Sequence, residues 1–148
     1  MELIVFIALI GLGYFAGSMA ERKHYTSIET REEAFIHLPS VTIRKVEEEE
    51  KIENAQLVSG SAVISVDYFK RILAGLRTLV GGRVKTYESL LDRARREAIL
   101  RMKEQDPTAD LIINLRLETS SISKGNRQKS VGTIEALAYG TAIHLKKP

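Results

Sequence analysis

The sequence opens with a long apolar stretch. Residues 3–20 run for eighteen positions without a charged side chain. As an α-helix this stretch would be about 27 Å long at ~1.5 Å per residue, close to the ~30 Å hydrocarbon thickness of a bilayer. A buried helix of that length normally keeps one polar face, whereas every face here is apolar. The stretch therefore predicts a transmembrane helix over residues 1–20, with membrane lipid as a partner.

The residues that flank this stretch favour an uncleaved anchor. Residues 22–24 (Arg-Lys-His) follow it almost directly, and Glu2 is the charged side chain before it. Positively charged residues that flank a transmembrane helix tend to stay in the cytoplasm. A secretory signal peptide is the alternative, since residues 18–20 offer a small-x-small cleavage site, but such peptides begin with a basic region. We therefore predict a single-pass protein of the cell membrane whose soluble part lies in the cytoplasm.

Small residues recur at four-residue spacing within the same stretch. Gly13 and Gly17 form a GxxxG pair, and Ala16 and Ala20 repeat the spacing on an adjacent face. Small residues at this spacing let helix backbones approach closely in lipid. They predict that the helix packs against copies of itself. Whether such a bundle would form a pore stays open.

Composition excludes several classes of protein for the remaining chain. The 148 residues contain no cysteine, which excludes a disulfide scaffold, a cysteine-based zinc site and a cysteine nucleophile. The 22 basic side chains are interspersed with 19 acidic ones and lack an aromatic stacking pattern, so we expect no nucleic-acid partner. We divide the chain into an anchor at residues 1–20, a charged juxtamembrane linker with short strands at 21–54, and a domain at 55–148.

The first half of that domain predicts a strand followed by two helices. Residues 56–66 favour β structure, with Gly60 marking a possible bulge. Apolar residues then fall at helical spacing over residues 67–80, and the pair Gly81-Gly82 ends that helix. A second helical pattern runs over residues 86–104 and stops at Asp106-Pro107.

Two further strands complete the predicted domain. Residues 111–118 alternate, with Leu111, Ile113, Leu115 and Leu117 on one face. Residues 119–130 are predicted to form a hairpin loop centred on Gly125-Asn126, and residues 131–145 form the last strand. That strand carries a face of small residues that suits a close-packed helix or a second subunit: Ala136, Ala138, Gly140 and Ala142. The order predicts an α+β domain with helices on one face of an antiparallel sheet.

The residues with catalytic or metal-binding chemistry form no recognisable set. His24, His37 and His144 are not spaced as ligand pairs, and a closed zinc site needs about four ligands. The acidic run at residues 47–50 and His144 are the candidates for a site between subunits. Phosphate-loop and nucleophile-turn motifs are missing from the sequence. We therefore predict no catalytic activity, no cofactor and no metal site within one chain.

The segment LRTLVGGR at residues 76–83, followed by Tyr87-Glu88, resembles the YbjQ-like family, also described as putative heavy-metal-binding. The ending AYGTAI at residues 138–143 is similar to the family's final strand, and the resemblance covers about residues 55–145. It implies a small α+β subunit of dodecin-like arrangement that assembles into a homopentameric ring. The residues that we assign to ligand or partner contact are Gly81, Gly82, Arg83, Tyr87 and Glu88.

Together these features predict a membrane-anchored homo-oligomer, pentameric by the resemblance, that acts as a scaffold or binding module without catalysis. The alternative is a metal-binding or small-ligand-binding protein with a site at the subunit interface. The sequence leaves the ligand and the partner open.

Overall fold

A three-stranded antiparallel sheet and two helices make up the computed structural model, which describes residues 1–46, 49–65, 85–124 and 131–146. The elements are helix α1 (Glu2–Ala34), a 3-10 helix (Glu49–Lys51), strand β1 (Ile52–Ser65), helix α2 (Lys85–Gln105), strand β2 (Leu111–Lys124) and strand β3 (Val131–Leu145). The helix predicted over residues 67–80 and its end at Gly81-Gly82 lie outside the described residues. The predicted α+β class is confirmed for the part that is described.

Strand β3 lies in the centre of the sheet, between β1 and β2, and runs antiparallel to both. Val41 and Ile43 lie beside the start of β2: the Val41 amide donates to the Ile112 carbonyl at 2.9 Å, and the Asn114 amide donates to the Ile43 carbonyl at 2.7 Å. This segment covers part of one sheet edge. Within the described ranges, no strand lies beside the outer edge of β1.

Helix α2 packs across one face of the sheet because that face carries small residues. The predicted small-residue face of β3 is confirmed as a helix-packing surface. Gly60 lies where α2 comes closest, since a Cβ there would fall 2.3 Å from the Met102 backbone nitrogen and 2.4 Å from the Ala98 carbonyl oxygen. Gly60 therefore serves close approach rather than the predicted bulge. The core consists of Val58, Ala62, Leu90, Ala94, Ala98, Met102, Ile112, Ile134, Ala136, Ala138 and Ala142 with their neighbours.

Strand β2 departs from the predicted alternation at a bulge. Its register with β3 shifts between Ile113 and Arg116, and Asn114 has φ 53°, a left-handed conformation that asparagine tolerates. Ile112 faces the core before the bulge, and Leu115 packs against the core after it. The predicted single apolar face of β2 is therefore wrong for its first residues, because the extra residue reverses the side-chain phase.

Strand β2 also extends further than the sequence predicts. It pairs with β3 as far as Lys124, opposite Val131. The predicted loop over residues 119–130 therefore begins too early, because its serine and threonine side chains are compatible with an extended edge strand. Gly125-Asn126 lies outside the described residues.

Helix α1 contradicts the predicted anchor. It continues without interruption from Glu2 to Ala34, so the predicted boundary at residue 20 falls inside one helix, as the boundary at residue 54 falls inside β1. Across the described parts of the chain, no helix is both long and apolar enough to cross a membrane. The prediction of a single-pass protein in the cell membrane is therefore wrong. Lack of charge over residues 3–20 marks only one half of a longer helix whose other half is highly charged.

The charged half of α1 packs against α2. Ile28 is fully buried, and the Tyr25 hydroxyl donates to the Ser89 carbonyl at 3.1 Å. The Arg96 guanidinium donates two hydrogen bonds to the Glu32 carboxylate, at 2.8 and 2.5 Å. Residues 21–34 are thus part of the folded domain rather than a linker.

A buried carboxylate reinforces the same contact between the helices. Glu97 of α2 is 5% exposed and accepts hydrogen bonds from Arg31 of α1 and, at 2.8 Å, from Arg101. Burial alone would raise the pKa of Glu97, but these two guanidinium groups outweigh it and hold the pKa below its usual value. Glu97 therefore stays ionised at neutral pH.

Candidate functional sites

A histidine and an aspartate meet near the C-terminal end of β3. Nε2 of His144 lies 2.7 Å from Oδ2 of Asp106, whose side chain is 5% exposed. The Gln56 side-chain amide donates to the same oxygen at 2.5 Å, and the Thr108 hydroxyl donates to Oδ1 at 3.1 Å. Both oxygens of Asp106 are therefore engaged, and the carboxylate is fixed in orientation.

The turn after α2 brings Asp106 to this position. Pro107 cannot continue the helix, and the Ala109 amide closes the turn by donating to the Asp106 carbonyl at 3.4 Å. Asp110 then attaches the turn to β3: its amide donates to the Ile143 carbonyl at 3.0 Å, and its carboxylate accepts the Leu145 amide at 2.8 Å. The residues on both sides of His144 thus hold the turn in place.

The contact between His144 and Asp106 determines which nitrogen of the neutral histidine ring carries the proton. Burial alone would raise the pKa of Asp106, but hydrogen bonds from His144, Gln56 and Thr108 outweigh it and keep the pKa below its usual value. Because an ionised carboxylate can only accept, Nε2 of a neutral His144 ring carries the proton. Nδ1 then keeps its lone pair, which is the form in which imidazole binds a metal. The His144 side chain is 25% exposed.

The described residues of one chain do not form a complete metal site. Among the residues that the structure describes, no group of three or more His, Cys, Asp or Glu side chains is placed to hold an ion. Glu49 and Glu50 of the predicted acidic run are exposed, and the rest of that run lies outside the description. They are near the end of the sheet that holds His144, because Ile52 pairs with Leu145. Within the described residues, His144 is therefore a candidate ligand rather than part of a complete site.

A second candidate is a cleft between α1, the end of β1 and α2, which we call the helix–sheet cleft. Its volume is about 370 Å³. Its lining residues are Gly17, Ala20, Glu21 and His24 of α1, residues 63–65 of β1, and Leu90 and Arg93 of α2.

Arg93 and His24 give the cleft its polar chemistry. The Arg93 guanidinium lies 3.9 Å from a Glu21 carboxylate oxygen and 5.9 Å from the centre of the Tyr25 ring. Arg93 Nε and His24 Nδ1 are buried and have no hydrogen-bond partner among the described residues. Burial, followed by the charge of Arg93, lowers the pKa of His24, so this ring is neutral at pH 7.

The predicted contact residues do not gather at either site. Gly81, Gly82 and Arg83 lie outside the described residues, Tyr87 lies in the first turn of α2, and Glu88 beside it is exposed. The small residues of α1 divide: Gly17 and Ala20 line the cleft, whereas Gly13 and Ala16 are exposed.

Sequence reasoning missed Asp106 and Arg93 as site residues. Asp106 was visible only as a helix stop before Pro107. Arg93 was visible as a charge between the apolar positions Leu90 and Ala94, which is the one signal that it lies near the sheet.

The fold and the histidine–aspartate pair define a small α+β domain with candidate binding sites. The chain belongs to the family described as putative heavy-metal-binding, whose family model matches residues 38–146. This confirms the resemblance to the YbjQ-like family and extends it toward the N-terminus.

Relatives named UPF0145 proteins match this chain over most of their own length. The chain is 39% identical over 97 residues to a UPF0145 protein of Clostridium novyi, covering 64% of this chain and 87% of the relative. It is 38% identical over 104 residues to a UPF0145 protein of Methanococcus maripaludis, covering 69% of this chain and 87% of the relative. Among solved structures, the chain matches a protein of unknown function from Pediococcus pentosaceus that belongs to the DUF74 family. The match has 15% identity and a TM-score of 0.41, and it covers 72% of this chain and 96% of that protein.

Proposed function

We propose that this chain is a self-associating metal-binding module, without catalytic activity, in which His144 supplies one ligand from each copy. The observation that carries the proposal is the hydrogen bond between His144 Nε2 and Asp106 at 2.7 Å. Metal-binding histidines usually donate their second ring N–H to a carboxylate, which fixes the ring and increases the basicity of the ligand nitrogen. The description of the family as putative heavy-metal-binding supports the same function.

The number of ligands supports a site that is shared between copies. A tetrahedral zinc or copper site takes about four ligands, whereas the described residues of one chain gather no group of three. A symmetric assembly that brings several copies of His144 together would supply the others. The carboxylates of Glu49 and Glu50 lie near the same end and are further candidates.

Self-association is supported by the exposed side of β1. This strand is 14 residues long and forms one edge of the sheet, and Leu57 and Val63 on it are 76% and 60% exposed. Long edge strands with apolar side chains are ready to pair with another chain. We propose the homopentameric, dodecin-like ring implied by the resemblance as the form of this assembly.

A binding role is supported over a catalytic one by the surroundings of His144. A general base of a nucleophilic enzyme needs a serine, threonine or cysteine within hydrogen-bond reach of its free nitrogen. Among the described residues, the His144 ring contacts Asp106, which orients the ring and is not a nucleophile. This arrangement presents an oriented ligand atom.

Calorimetric titration of the metal-free full chain with Zn²⁺, Cu²⁺ and Ni²⁺ tests this function. We expect saturable binding of at least one ion that is lost in His144→Gln, whose side-chain amide can still donate to Asp106. The matched control is His37→Gln, since His37 stacks on Phe35 and no carboxylate among the described residues orients its ring. Binding that persists unchanged in His144→Gln would contradict the proposal, as would the absence of binding heat for all three ions.

A further inference from the structure

The helix–sheet cleft is separate from the histidine–aspartate pair. His144 pairs with Asn54 near the start of β1, whereas the cleft is lined by Ser65 at the end of that strand. Eleven residues of extended chain at about 3.3 Å each place the two regions roughly 35 Å apart along β1. Whatever binds in the cleft is therefore independent of the metal proposed at His144.

The cleft contains two polar atoms that the described residues do not satisfy. Buried nitrogens in folded proteins nearly always have a hydrogen-bond partner, and leaving one without is unfavourable. Arg93 Nε and His24 Nδ1 both lack one and both belong to residues that line the cleft. The two nitrogens differ in chemistry. The Glu97 carboxylate, 3.9 Å from His24 Nε2, favours the proton of the neutral ring on Nε2, so His24 Nδ1 is an acceptor, whereas Arg93 Nε is a donor. The Arg93 Nε–H therefore indicates where an anionic group of a ligand completes the hydrogen bonding.

The orientation of Arg93 determines the ligand group. The Tyr25 ring and the Glu21 carboxylate hold the guanidinium on one side, which leaves Nε as the unsatisfied donor. A guanidinium edge matches a planar carboxylate, which can accept two parallel N–H bonds. Glu21 also lines the cleft, and its charge disfavours a dianion such as phosphate more than a monoanion.

The remaining walls determine the rest of the ligand. Gly17, Ala20 and Leu90 contribute backbone and hydrocarbon surface, and the volume of about 370 Å³ lies in the ~300–1,000 Å³ range of small-molecule sites. We propose that the helix–sheet cleft binds a small monocarboxylate with a short apolar chain. The carboxylate lies on Arg93, and the chain lies against the α1 wall.

Three small probes test this site in the full-length protein by NMR and calorimetry. Hexanoate carries both the carboxylate and the chain, 1-hexanol carries the chain alone, and inorganic phosphate carries the charge alone. We expect hexanoate to bind saturably and to shift the Arg93 Nε–H resonance. We expect 1-hexanol and phosphate to bind at least about tenfold more weakly, because each lacks one of the two interactions.

Variants separate the guanidinium from the space of the cleft. Arg93→Lys keeps the charge but loses the planar N–H pair, and it should weaken hexanoate binding about tenfold. Ala20→Leu should block the chain without removing a charge, which keeps the test valid if Arg93 variants fold poorly. Arg95→Gln is the matched control, because Arg95 lies on the same helix and is exposed.

The outcomes are decisive in either direction. Loss of hexanoate binding in Arg93→Lys and Ala20→Leu, with binding retained in Arg95→Gln, supports the site. Equal binding in all variants, no saturable hexanoate response, or phosphate binding tighter than hexanoate overturns it. None of these results depends on whether His144 binds a metal.

Discussion

Nε2 of His144 and Oδ2 of Asp106 lie 2.7 Å apart although 38 residues separate them in the chain. The turn after α2 and the end of β3 bring them together, so the contact depends on the whole domain being folded. A histidine held in this way has one nitrogen committed to the protein and one left for a ligand.

Asp106→Asn tests the role of that contact. The amide removes the carboxylate charge and can no longer dictate which ring nitrogen of His144 carries the proton. We expect metal affinity to fall about 10–100-fold and the ¹⁵N spectrum of His144 to show a mixture of ring tautomers. In the unmodified protein the same spectrum should show protonation at Nε2. Unchanged affinity with an unchanged spectrum would contradict the positioning role of Asp106.

Substitution of Gly60 by alanine should destabilise the domain. A Cβ at Gly60 would meet backbone atoms of α2, at 2.3 Å from the Met102 nitrogen, which cannot move aside as a side-chain end can. We expect a loss of about 1–3 kcal/mol or more in the free energy of unfolding. Gly11→Ala is the control: nothing lies within 4 Å of its Cβ, so removing a helical glycine there should stabilise by up to about 1 kcal/mol. Urea denaturation measures both, and equal effects would contradict the close approach at Gly60.

Substitution of Met102 by alanine should also reduce stability, through a cavity. Met102 is fully buried between α2 and the sheet, and we expect a loss of about 2–5 kcal/mol in the free energy of unfolding. Met19→Ala provides a comparison with the same change in chemistry at a side chain that is 70% exposed, where the effect should stay within about 0.5 kcal/mol. Similar losses in the two variants would contradict the packing of α2 on the sheet.

The contact between α1 and α2 should weaken in acid. Because the pKa of Glu97 is lower in the folded protein than its usual 4.5, its stabilising contribution is complete above pH 4.5. That contribution is lost as the pH falls through the lowered value, since the unfolded state then binds more protons. Hydrogen exchange over residues 21–34 should therefore accelerate below pH 4.5. Glu97→Gln should weaken protection at neutral pH and flatten this dependence, while Glu88→Gln, at an exposed position of α2, should not. An unaltered pH dependence in Glu97→Gln would show that another group controls the contact.

The elements with regular spacing could be predicted from the sequence. Leu90, Ala94, Ala98 and Met102 recur at helical steps, and the small residues of β3 alternate, so α2 and its packing surface follow from local pattern. The bulge at Asn114 could not be predicted, because a positive φ at one asparagine leaves no periodic signal. Its effect is to reverse which residues of β2 face the core.

The candidate sites could be predicted less well than the fold, because their contacts join distant parts of the chain. Asp106 was recognisable as a helix stop but not as the partner of His144, and Arg93 was recognisable as a charge but not as the wall of a cleft. The uncharged stretch at residues 3–20 led to the wrong prediction of a membrane anchor. It says nothing of the charged half of the same helix, which packs on α2 through Tyr25 and Glu32.

We propose above all that copies of this chain share a metal ion through His144. The decisive test is native mass spectrometry of the full chain, with and without added Zn²⁺, Cu²⁺ or Ni²⁺. We predict an oligomer that holds fewer ions than chains and loses them in His144→Gln but not in His37→Gln. A monomer that binds its own ion, or an oligomer whose metal content is the same in His144→Gln, would contradict the account.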